Sequence, residues 1–101
     1  MQYTKFGVVP IRSFRDAETE ALHLKGRSKR WANMAKIAIR KLDMLDAAVA
    51  LTDLRSPPGN RLEALIGDRA GQHSIRINDQ FRICFRWTDA GAEDVEVTDY
   101  H

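Results

Sequence analysis

Residues 74–87 read SIRINDQFRICFRW. Apolar and polar residues alternate up to a central Asn-Asp pair and alternate again beyond it, the pattern of two half-buried strands joined by a tight turn. One parity holds Ile75, Ile77, Phe81, Ile83, Phe85 and Trp87, apolar enough to be the core side of a sheet. The other holds Ser74, Arg76, Arg82, Cys84 and Arg86. With a shared register across the turn, this predicts a positive patch of Arg76, Arg82 and Arg86 on the open face. Arginine on an exposed strand also pairs with acids across the ladder, and Glu63 and Glu96 are available, so a salt-bridged surface is an equal reading.

Short strands flank this hairpin. Residues 62–65 and 93–98 carry similar alternation and are set off by Gly-Asp and Asp-Ala-Gly signals, which predicts a meander of three or four antiparallel strands. VVPIRSF, residues 8–14, predicts a first strand, with Pro10 confining it to an edge or a strand start. Two helices lie between. Asp16 as N-cap, Glu18 and Glu20 in the first turn and Lys25-Gly26 at the end predict a helix over 17–25. Ser28 predicts a second cap, followed by Trp31, Met34, Ala38, Leu42, Leu45 and Val49 in helical steps of three and four. Ser56-Pro57-Pro58-Gly59-Asn60 continues neither a helix nor a strand and predicts a loop. The expected fold is α+β, two N-terminal helices packed on one face of a small, mostly antiparallel β-sheet.

At 101 residues the chain is expected to form one domain over residues 9–101, preceded by an extension over residues 1–8. Composition is that of a globular protein, 44% hydrophobic and 30% charged, which argues against disorder and fibrous repeats. No apolar run approaches the roughly 20 residues of a membrane span, and the start lacks a signal-peptide core, so a cytoplasmic protein is expected. Cys84, the one cysteine, falls within a strand pattern and reads as a buried structural thiol. No His, Cys or carboxylate spacing makes a metal site, and no cofactor is expected.

Net charge is only +2, but its distribution is uneven. Lys25, Arg27, Lys29, Arg30, Lys36, Arg40 and Lys41 follow one another without an acid among them, whereas Asp89, Glu93, Asp94, Glu96 and Asp99 crowd the C-terminal end. Such a basic stretch either follows a phosphate backbone or forms a solvated helix face. The chain closes on VEVTDYH, an alternation predicting a strand that runs into Asp99, Tyr100 and His101.

The stretch PPGNRLEALIGDRAGQHSIRINDQFRICFRW, followed by the closing DYH, resembles the HigB group of the RelE/ParE toxin superfamily, also called plasmid maintenance killer proteins. The resemblance runs from Ile11 to the last residue. Its long motif is L-x-G-D-R-x-G-x-x-S-I-R-I-N-D-Q-x-R-I-C-F-x-W over residues 65–87. It implies a toxin that enters the ribosomal A site and cleaves mRNA, silenced by a HigA-type helix-turn-helix antitoxin. The expected partners are that antitoxin, the 70S ribosome and message, with operator DNA reached only through the antitoxin complex, and no membrane.

RNA cleavage without a metal requires a ribose 2′-OH to lose its proton and attack the adjacent phosphate, charge on the phosphoryl oxygens to be neutralised, and the 5′-oxygen to be protonated. The resemblance places the terminal histidine at His101, beside Asp99 and Tyr100, and the strand arginine at Arg82. Arg76 is a candidate second phosphate clamp. Its own α-carboxylate and Asp99 are expected to favour the imidazolium form of His101, as general acid or phosphate binder, with Tyr100 positioning or stacking on a base. Lys29, Arg30, Arg61, Arg69, Arg86 and His73 are candidates for contact with RNA or ribosome; His73 is equally open to aromatic packing. Many family members carry lysine where this chain has Ile66, tryptophan where it has Phe81, and an aromatic where it has His73. The missing lysine leaves Arg61, Arg69 or Arg76 to cover its task, or activity is weaker. Two other readings stay open: a catalytically weak antitoxin-binding module that tunes operon repression, and a poison of DNA gyrase like the superfamily's ParE branch.

Overall fold

The computed structural model describes residues 10–99; the extension over residues 1–8, and Tyr100 and His101, lie outside the described residues. Helix α1 (Ala17–Lys25) starts where Asp16 Oδ1 accepts the Thr19 N–H at 2.6 Å. It stops at Gly26, whose left-handed φ of 71° lets its N–H reach the Leu22 carbonyl. Both ends fall at the residues whose chemistry predicts them. The Asp16 cap is worth about 1 kcal/mol.

Helix α2 (Ala35–Ala47) starts later than its cap residue predicts. Ser28 Oγ accepts the Trp31 N–H at 3.3 Å, as an N-cap does, but it also donates to Glu18 Oε2 at 3.0 Å. That bond holds the linker against α1, and a 3-10 turn over Ala32–Met34 intervenes before the helix proper. Trp31, Met34, Ala38, Leu42 and Leu45 are buried as their spacing predicts, whereas Val49 is 53% exposed. The helix has ended by then. Asp53 Oδ2 accepts the N–H groups of Val49 and Ala50 at 2.9 and 3.1 Å, turning the chain away.

Four strands, β1 (Glu63–Ala64), β2 (His73–Arg76), β3 (Phe81–Thr88) and β4 (Gly91–Asp99), form an antiparallel sheet in sequence order. The strand expected over 62–65 is only two residues long. The expected first strand is not regular either among the described residues. Residues 12–15 lie along β4 through Arg12 N to Ala92 O at 2.7 Å, Val95 N to Ser13 O at 3.1 Å and Arg15 N to Val95 O at 2.9 Å, with a single parallel bridge at Phe14. Pro10, which has no N–H to give, stands at the start of this short run. The β2–β3 turn is made by Asn78, whose Oδ1 accepts from Gln80 N at 2.9 Å and Phe81 N at 2.8 Å.

The core joins Leu22, Trp31, Met34, Ala38, Leu42 and Leu45 to Ile75, Ile77, Ile83, Phe85, Val95 and Val97. Each large side chain fully buried there contributes about 1.5–3 kcal/mol. Phe81 and Trp87 pack at its margin. Thr19 Oγ1 accepts the Val97 N–H at 3.0 Å and pins α1 to β4. Among the described residues no helix is long and apolar enough to cross a membrane.

Candidate functional site

The β2–β3 register sets Arg76 directly opposite Arg82, and the β3–β4 register sets Arg82 opposite Thr98. Like charges placed opposite one another in a ladder are unfavourable, so something must hold them. Arg76 pairs with Asp79 in the turn, a carboxylate fully exposed to solvent and therefore of small energetic weight. Arg82 is held far more firmly. Its Nε donates to Ser74 Oγ at 2.7 Å and its Nη2 to the Arg61 carbonyl at 2.6 Å, with Glu63 Oε1 at 3.6 Å.

This corrects the open-face expectation. Arg82 is only 5% exposed and Ser74 and Cys84 are buried, because the segment after the Pro-Pro-Gly loop lies over this side of the sheet. Alternation identifies two faces but cannot say what a distant segment will cover. The covering leaves a cleft of about 350 Å³ lined by Glu63, Ala64, Leu65, Ile66, Arg69, Cys84 and Thr98. Its floor is the Cys84 and Thr98 side of the sheet, where Thr98 is the register partner of Arg82 and Cys84 lies two residues further along β3. Ile66 stands on its rim at 88% exposure, with a side chain that can hold no phosphate.

Not every candidate joins this centre. Arg86 shares the predicted parity but not the row: the β3–β4 register shifts between Cys84 and Arg86, and Arg86 faces Glu93. Its Nε lies 4.0 Å from Asp94 Oδ2, and its Nη1 lies 3.1 Å from where a Cβ on Gly71 would be, so the Gly71 position of the motif makes room for this guanidinium. Arg69 borders the cleft but donates to Glu96 Oε1 at 2.7 Å and Gln72 Oε1 at 3.0 Å. The bond to Glu96 raises its pKa further above the usual arginine value, against the opposing effect of burial. Arg15 also approaches Glu96, at 3.8 Å. Arg61 itself is exposed, with a left-handed φ of 45° that turns its carbonyl to Arg82.

His73 stacks on Phe85 with ring centroids 6.3 Å apart, and its buried Nδ1 has no partner among the described residues. Arg30 lies over the Trp31 ring at 4.4 Å, and Trp31 meets Phe81 edge-on at 5.2 Å. Phe81 is the register partner of Asp99, so the basic linker reaches the end of the sheet where β4 stops. Lys29 instead borders a separate groove of about 540 Å³ with Glu18, Lys25 and Arg27. Asp99 continues the parity of the buried Val95 and Val97, opposite to Thr98, and its Oδ2 accepts from Gln80 Nε2 at 3.1 Å. It thus lies on the other side of β4 from Arg82. Tyr100 and His101 follow outside the described residues.

Two residues that local pattern did not single out support Arg82. Asn60 is fully buried; its Nδ2 donates to the Leu54 carbonyl at 3.1 Å and the Ser56 carbonyl at 3.3 Å, and its Oδ1 accepts from Lys41 Nζ. This clamps the loop whose next carbonyl, that of Arg61, receives Arg82. The local hint is that Lys41 is a cation at the edge of the apolar stripe, three residues after Ala38 and four before Leu45.

No group of three or more metal-ligating side chains is found among the described residues. Compared with known proteins, residues 12–101 match a family model described as the RelE-like toxin of type II toxin-antitoxin system HigB. Toxin HigB-1 of Vibrio cholerae serotype O1 is 57% identical over 53 residues, a stretch covering 52% of this chain and 56% of that protein. An uncharacterized protein of Haemophilus influenzae is 43% identical over 60 residues, 59% of each chain. These matched stretches thus span little more than half of either relative.

Proposed function

The chain belongs to the HigB-like family, the RelE-like toxins of type II toxin-antitoxin systems, and from that premise we propose that it is a metal-independent endoribonuclease cutting message in the ribosomal A site. The observation carrying this reading furthest is the Arg76–Arg82 pair, two opposed cations beside the strand end that leads to Tyr100 and His101. Repulsion between them is relieved by a phosphate, and relieved most when the phosphoryl oxygens gain charge in the transition state. Arg76, the more accessible, grips oxygens. Arg82 supplies a fixed charge from beneath, and His101 donates a proton to the leaving 5′-oxygen. The toxin acts in the cytoplasm as a single domain, with a HigA-type antitoxin as its silencing partner. Toxin and antitoxin together repress their operon.

The family lysine is replaced by Ile66 and Arg82 is engaged within the fold, so the ribosome is needed to position the substrate. Toeprinting on translating ribosomes is expected to show new A-site cuts, while the same message free in solution stays intact. Equal cutting of free RNA overturns the ribosome requirement. Growth arrest without cuts points to gyrase.

The exposed apolar rim at Ile66 favours one second reading, a weak nuclease that serves chiefly as an antitoxin-binding module. Ile66→Lys is then expected to raise the cleavage rate on the order of tenfold, the effect of about 1.4 kcal/mol of added transition-state stabilisation. Single-turnover assays on ribosomes read this directly. An unchanged rate returns the phosphate-holding task to the arginines already present.

A further inference from the structure

Lys41 is a cation in an awkward place. It stands half-buried beside the core-facing stripe of α2, and its ammonium donates to Asn60 Oδ1. An ammonium has three donors, and among the described residues no carboxylate pairs with this one. Burial, then the like charges of Arg40 and of Arg76, hold its pKa below the ordinary lysine value. For a depressed folded pKa the associated stability is present above the unfolded value and lost as pH falls through the folded one. Below the folded value the cost of keeping Lys41 charged is therefore fully present. A neutral side chain would satisfy Asn60 without that cost.

Its surroundings tie Lys41 to the arginine pair. Asn60 clamps Lys41 and precedes Arg61, whose carbonyl anchors the Arg82 guanidinium, so the lysine and the strand arginine are tied to adjacent residues of one loop. Arg76, opposite Arg82 in the ladder, completes the group. We propose that Lys41 contacts a message phosphate adjacent to the one held by the Arg76–Arg82 pair, with Asn60 as its positioning residue. The inference rests on the ribonuclease reading and extends its substrate contact by one phosphate. Message is favoured over ribosomal RNA because Lys41 shares its loop anchor with Arg82 instead of facing the separate basic groove at Lys25, Arg27 and Lys29.

The test measures binding of a short single-stranded RNA with 2′-O-methyl riboses, which cannot be cut, over a salt series. Each phosphate contact contributes about 0.7 to the slope of log affinity against log salt for single strands. Lys41→Gln removes the charge while keeping a donor for Asn60, and is expected to flatten the slope by about 0.7. Lys41→Arg and the exposed-surface control Lys36→Met are expected to keep it. Lys41→Met provides the same comparison should the glutamine variant fail to fold. If Lys41 only satisfies Asn60, the variants shift the melting temperature and leave the slope unchanged, which overturns the inference while sparing the ribonuclease reading. An equal flattening in Lys36→Met overturns it as well. Wild-type protein without salt-dependent RNA binding overturns the inference and leaves the ribosome-dependent reading to the toeprinting test. Binding to message-free ribosomes is expected to be the same for Lys41→Gln and wild type; a loss there would overturn the assignment to message.

Discussion

Arg82→Ala is expected to reduce message cleavage by roughly 10²–10³-fold and to lower folding stability by about 2–4 kcal/mol. The two effects have separate origins. Removing the guanidinium strands Ser74 Oγ and the Arg61 carbonyl, which it now holds at 2.7 and 2.6 Å, in a region where Ser74 is wholly buried. A buried acceptor left without its donor costs about 1–3 kcal/mol. Glu63 adds less, since its carboxylate is 47% exposed and water screens it. Loss of repulsion from Arg76 returns only a few tenths of a kcal/mol, up to about 1. Arg82→Lys separates stability from chemistry: it keeps the charge but not the planar fork that reaches Ser74 and Arg61 together. Denaturant unfolding should place it between wild type and alanine, while its cleavage rate stays well below that of the native protein. An alanine variant as stable as wild type would remove the buried anchor from the account, and one that still cuts at the native rate would remove the phosphate role.

What could be read from the residues and what could not divide along a physical line. Local chemistry was legible: Asp16 and Gly26 bound α1 because capping depends on the residue at the cap and those within one turn of it. The alternation of residues 74–87 correctly placed Ile75, Ile83 and Phe85 in the core, because side-chain period in a strand is fixed by the backbone. Covering was not legible. Nothing in the spacing of Arg82 tells that the carbonyl of Arg61, 21 residues earlier, would reach it. Likewise the register shift after Cys84, which removes Arg86 from the arginine row, depends on how β4 packs, with Asp94 at a positive φ of 53°. Ser28 accepts the Trp31 N–H but does not cap α2, whose N-cap is Met34; its second bond, to Glu18, is a tertiary contact that no local pattern carries. Pattern and family resemblance single out Arg76 and Arg82 as the proposed site residues, and the fold alone gives their unequal accessibility.

That inequality bears on proton transfer. Asp99 continues the core parity of β4 and accepts from Gln80, which places it across the strand from Arg82. As the proposed general acid, His101 is expected to show the larger effect when replaced: His101→Gln should lower cleavage by about 10²–10⁴-fold, the usual contribution of a positioned acid or base. Asp99→Asn should lose less. Imidazole titrates near neutrality, so a histidine acting as the acid must be protonated, and activity dependent on it falls as pH rises through its pKa. In the wild type the rate on ribosomes should show that alkaline limb. In His101→Gln the limb should vanish and a low, flat rate remain. Glutamine keeps a hydrogen-bond donor but cannot give up a proton, so it separates donation from mere contact with the phosphate. A variant with a low rate that keeps the native pH profile would assign His101 to holding the phosphate; a native rate together with the native profile would leave the cutting chemistry to the arginines and the ribosome.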